Sequence, residues 1–138
     1  MTKKEQAAQY HGHGNNCAQA VACAFAEDAG LPEEEVRAAV AQYGGGRKKV
    51  CGAVMGMYAA YNMKKGYVNY EDPAKWTEEQ KEDLMRLEKQ FLEKNRSVIC
   101  KELKGALTGK PLRTCRGCVE DAAEILEDYL QGGKEYVG

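Results

Sequence analysis

The chain has 138 residues, enough for one domain with a hydrophobic core. Its 20 Lys and Arg nearly cancel its 21 Asp and Glu, leaving a formal net charge of −1, which offers no basic field for a phosphate backbone and argues against a nucleic-acid partner. Hydrophobic residues make up 43% but never run long enough to span a bilayer, and no signal core follows Met1-Thr2-Lys3-Lys4-Glu5-Gln6.

Residues 1–14 read as a flexible segment or a short helix. A helix is expected over 16–29, where Cys17, Ala20, Val21, Ala24 and Phe25 recur at the helical period. Asn15 or Asn16 can cap it, and Gly30 suits its stop. Pro32 suits the first turn of a second helix, running to about residue 42, with acidic residues 33–35 at its positive end. Gly44-Gly45-Gly46 breaks the pattern as a linker or a close backbone approach. It lacks the Gly-Lys-Ser/Thr ending of a phosphate-binding loop and does not match the dinucleotide fingerprint. Arg47-Lys48-Lys49 reads as a solvated turn.

Residues 51–64 resume the helical period. Val54, Met55, Tyr58, Tyr61 and Asn62 lie on one side and the small residues Ala53, Gly56 and Ala60 on the other, so this helix is expected to pack centrally. Gly66 is its stop. A turn-rich connector with Asp72-Pro73 spans 67–75. A long helix then covers about 76–95, opened by a Thr77/Gln80 capping box and packed through Leu84, Leu87 and Phe91, with Leu92 beside them. Ser97 can cap a shorter helix ending before Gly105. A loop with Gly109 and Pro111 follows. The final helix, about 115–131, has a buried stripe of Cys115, Val119, Ala122, Ala123, Leu126 and Leu130. Tyr58 and Tyr61 are expected in the core. The expectation is an all-α fold, a compact bundle of about five to six helices, with one four-Cys domain over 15–131 and a tail over 132–138.

The expected compartment is the cytoplasm, where the six cysteines at 17, 23, 51, 100, 115 and 118 are not ordinary structural disulfides. Cys17, Cys51, Cys100 and Cys115 all fall near expected helix starts. Unpaired N–H groups and the helix dipole stabilise a thiolate there. Thiolates are the nucleophiles of disulfide exchange and the ligands of soft metals. Against this stands the fact that Cys is often a small buried side chain. Cys23 lies mid-helix, off the face marked by Cys17 and Val21, and is expected to be non-ligating. Cys115-Arg116-Gly117-Cys118 is a C-x-x-C that can act as a dithiol, with Arg116 favouring a thiolate, or as half of a metal site. Cys118 can also be an incidental thiol beside the stripe. His11 and His13, the only histidines, can join Cys17 in a zinc site or belong to a mobile segment.

With Asn16-Cys17-Ala18-Gln19-Ala20, Cys51-Gly52-Ala53-Val54-Met55-Gly56, Ser97-Val98-Ile99-Cys100 and Cys115 followed by Val119 and Ala122-Ala123, the chain resembles the redox-active family called C_GCAxxG_C_C over most of residues 10–130. The resemblance implies redox activity centred on Cys17, Cys51, Cys100 and Cys115, with Cys118 the alternative fourth thiol. Two accounts follow. In the first, the thiols serve redox or electron transfer to a protein partner, either by disulfide exchange with Cys51 as nucleophile or through a [4Fe–4S] cluster. In the second, the same four thiolates hold zinc in a structural or interaction domain. Helix packing can continue into a homodimer. No acid–base enzyme stands out.

Overall fold

The structure, a computed structural model, describes residues 2–46, 50–67, 74, 76–105 and 109–132. The expected Arg47-Lys48-Lys49 turn, the Asp72-Pro73 connector and the tail beyond residue 132 lie outside the described residues. Eight α-helices are present among the described residues: α1 (Lys3–Gly12), α2 (Cys17–Ala24), α3 (Ala26–Ala29), α4 (Glu33–Val40), α5 (Gly52–Lys65), α6 (Glu78–Asn95), α7 (Cys100–Lys104) and α8 (Cys115–Gly132). A 3-10 turn, Ala41–Gly46, links α4 towards α5. The fold is all-α, and its only β-type pairing among the described residues is an isolated antiparallel bridge, Val50 with Ile99.

The helix count exceeds five to six for identifiable reasons. The helix expected over 16–29 pivots at Phe25 (φ −107°, ψ 7°), which separates α2 from α3 and buries the Phe25 ring. The first residues form α1, opened by a Thr2/Glu5 capping box and packed on Ala7 and Ala8. Lys3 pins it to the rest of the protein, its Nζ donating to the Ala24 carbonyl at 2.9 Å and lying 3.2 Å from an Asp28 carboxylate oxygen.

Asn16 caps α2 in a capping box with Gln19, and Thr77 does the same for α6 with Gln80. Gly30 and Gly66 end α3 and α5 in the left-handed conformation, at φ 71° and 81°. Ser97 does not cap a helix. Its hydroxyl accepts from the Ile99 N–H at 2.9 Å and donates to Glu102 at 2.6 Å. The bridge to Val50 keeps residue 99 extended, so α7 begins at Cys100.

Helix α5 runs through the centre, as its two-sided pattern predicts. Residues 56–62 are all buried. One core joins α2, α5, α6 and α8 through side chains such as Val21, Met57, Leu84, Leu87, Phe91 and Leu126. A second lies on the other side of α2 and includes Ala22, Cys23, Val36, Val40 and Tyr43. Two polar clusters buried between α5, α6 and α8 are matched. Asn62 accepts from Gln80 at 2.6 Å, and Asp83 accepts from the hydroxyls of Tyr61 and Tyr129. Tyr58 and Tyr61 are core residues, at 8% and 0% exposure.

Candidate functional site

Small residues bring the thiols together. Gly52 sits where α5 starts against α2 and the 3-10 turn; a Cβ there would lie 3.1 Å from the Cys17 Cβ and 3.2 Å from the Tyr43 carbonyl oxygen. One turn on, a Cβ at Gly56 would meet the Ala18 carbonyl oxygen at 2.6 Å. The two glycines of Cys-Gly-Ala-x-x-Gly therefore let α5 press on α2 and hold Cys51 beside Cys17. A third contact works from the opposite side. The Cys51 N–H donates to the Val98 carbonyl at 2.6 Å, next to the Val50–Ile99 bridge, and this places Cys51 near Cys100.

Helix starts then aim the sulfurs. Cys17, Cys100 and Cys115 are the first residues of α2, α7 and α8, and Cys51 is the N-cap of α5. These four, joined by Cys118, line one cavity with Gly52, Leu103, Lys104 and Arg113. Cys51 and Cys118 are buried, at 5% and 2% exposure, while Cys17, Cys100 and Cys115 are partly exposed.

The thiols interact in two pairs. The neighbouring Cys118 thiol, with the backbone N–H groups of Ala53 and Val54 at the α5 start and the nearby Lys104, outweighs burial and holds the Cys51 thiol down at about 7. The same contact, reinforced by burial, keeps Cys118 protonated far above the usual thiol range. Cys17 is pushed up to about 12 by burial and by the charges of Cys115 and Cys51. Burial also raises Cys100, against the pull of Lys104.

Other expectations are placed as follows. His11 Nε2 lies 3.8 Å from Cys17 Sγ, whereas His13 is an exposed residue at the end of α1. Cys23 is outside the cavity, in the second core, its S–H directed at the Glu33 carbonyl at 3.9 Å. Arg116 faces Glu120 at 3.6 Å, not a thiol. The cations at the cavity are Lys104 and Arg113. The Arg113 guanidinium is held by Asp121 at 3.0 and 3.3 Å and passes over Gly117, where a Cβ would lie 2.4 Å from Arg113 Nε. Sequence reasoning missed both cations and Cys118 as the partner of Cys51. All three depend on tertiary placement, and only the Gly in Cys115-Arg116-Gly117-Cys118 hints at a group crossing the helix start.

Thiolates suit zinc and iron–sulfur clusters. Among the described residues, however, no group of three or more Cys, His, Asp or Glu side chains is arranged to hold a metal ion. Nor is any helix among the described residues long and apolar enough to cross a membrane.

Fold and site define a class, an all-α protein whose cysteines meet at converging helix starts. The chain belongs to the family described as putative redox-active protein (C_GCAxxG_C_C), whose profile matches residues 15–129. No curated protein and no solved structure matches it.

Proposed function

We propose that the protein is a thiol–disulfide redox protein whose working centre is the dithiol Cys51–Cys118. The observation that carries this reading is the placement of Cys51 as the N-cap of α5, on one cavity with Cys118, where its surroundings lower its thiol to about 7. A thiolate so held is available near neutral pH, close to the optimum for an attacking thiol. In the oxidative direction, Cys51 attacks one sulfur of a disulfide and expels the other as a thiolate. Cys118 then attacks Cys51 Sγ and expels the second. The substrate disulfide gains two electrons and two protons as two thiols, and the protein keeps a Cys51–Cys118 disulfide. The reverse sequence reduces a substrate. A protein partner that carries the exchanging disulfide completes the cycle.

Native mass spectrometry of protein purified without oxygen tests this, followed by oxidation and disulfide mapping. The expected result is the bare polypeptide mass, then a Cys51–Cys118 bond that dithiothreitol removes. A mass excess of zinc, or of iron and sulfide, would return these cysteines to metal binding and contradict the reading.

A further inference from the structure

We propose that the cavity holds a second exchangeable dithiol, Cys17–Cys115, and that it is the disulfide on which Cys51 acts. The inference rests on the dithiol reading of Cys51–Cys118 and adds the route by which that pair meets its oxidant.

Three observations support it. The inner pair is the more buried, at 5% and 2% exposure, while Cys17 and Cys115 are partly exposed on the same cavity and are the thiols an incoming disulfide meets first. Helices α2 and α8 pack on each other and begin with Cys17 and Cys115, which open on the same cavity. The two pairs also adjoin. The Gly52 backbone, next to Cys51, packs on Cys17, and α8 supplies one thiol to each pair from positions three apart on one helical face. His11 Nε2, 3.8 Å from Cys17 Sγ, is a local group to take or return its proton. His11 lies ahead of the segment, 15–129, that the family profile matches.

The relay balances. An external disulfide oxidises Cys17 and Cys115, leaves as two thiols and carries off two electrons and two protons. The Cys51 thiolate then attacks Cys17 Sγ, the Cys17–Cys115 bond breaks, and Cys115 leaves as a thiolate. Cys118 loses its proton and attacks Cys51 Sγ, breaking the Cys17–Cys51 bond and releasing the Cys17 thiolate, which is reprotonated. The inner pair is now the disulfide and the outer pair the dithiol. A second external disulfide then fills the outer pair, so the protein stores four electrons in all.

The test is oxidation of the reduced protein with glutathione disulfide, with timed alkylation and peptide mapping. Wild type is expected to reach two bonds, Cys17–Cys115 and Cys51–Cys118, leaving Cys23 and Cys100 alkylated. In Cys17→Ser and Cys115→Ser, each checked for helical circular dichroism, formation of the Cys51–Cys118 bond should slow at least ~10-fold. In Cys23→Ser, outside the cavity, it should not. Wild-type rates in the Cys17 and Cys115 variants, or alkylated Cys17 in the fully oxidised protein, would overturn the relay while leaving the inner dithiol standing. Failure of wild type to form the Cys51–Cys118 bond would overturn the reading on which the relay rests.

Discussion

Cys23 and Cys51 are both buried, at 3% and 5% exposure, and both belong to cores that flank α2. Their surroundings part them. Cys23 lies in the last turn of α2, where backbone N–H groups are already used, and its weak S–H donor points at the Glu33 carbonyl. Burial raises its thiol, and the Arg37 charge only tempers this. Cys51 stands where α5 has N–H groups to spare, and a second thiol adjoins it, so its thiol falls despite burial. Burial raises both thiols, and only at Cys51 do the α5 start and the neighbouring Cys118 outweigh it.

The comparison can be broken at either end. The largest effect is expected from Cys51→Ser, which should abolish the Cys51–Cys118 bond and its redox step. Cys23→Ser should leave both intact, as disulfide mapping would show. Next is Gly56→Ala, whose Cβ would collide with the Ala18 backbone. It should cost ~2–3 kcal/mol in denaturant unfolding and loosen the approach of Cys51 to Cys17. The third concerns pH. Cys51, lowered from 9.0 to about 7, contributes stability that is present above pH 9 and lost as pH falls through about 7. Cys17, raised from 9.0 to about 12, acts oppositely and penalises the fold as pH climbs from 9 to 12. Reduced protein should therefore gain ~1–2 kcal/mol between pH 7 and 9 relative to Cys51→Ala in unfolding titrations. Cys118→Ala removes the neighbouring thiol and should raise the Cys51 titration by about one pH unit. Lys104→Gln, which removes a charge on an exposed side chain, should raise it by only a few tenths of a pH unit.

Local chemistry explains what was legible in the sequence. Asn15 or Asn16, Thr77 with Gln80, Gly30 and Gly66 each mark a helix end by groups within a few residues, and the structure uses Asn16 and the other three. The helix-start placement of Cys17 follows from the first of those ends, and that of Cys51 and Cys115 from the helical period that resumes at each. The Thr2/Glu5 box that opens α1 is equally local, but the helix buries only Ala7 and Ala8, so its sequence carries no apolar stripe to set it apart from coil. Other features depended on contacts distant in sequence. Ser97 looks like a cap until Val50 pairs with Ile99. Cys118 looks incidental beside the α8 stripe until α5 brings Cys51 against it, and Arg116 looks like the local cation until Glu120 takes it.

Thiolate absorbance of the reduced protein, followed against pH in wild type, Cys51→Ala and Cys23→Ala, tests the central claim most directly, because it needs no reagent to enter the cavity. The account predicts a one-thiolate step near pH 7 in wild type and Cys23→Ala that is absent from Cys51→Ala. If no thiolate forms below the ordinary thiol range, or if the step survives in Cys51→Ala, Cys51 is not the activated sulfur.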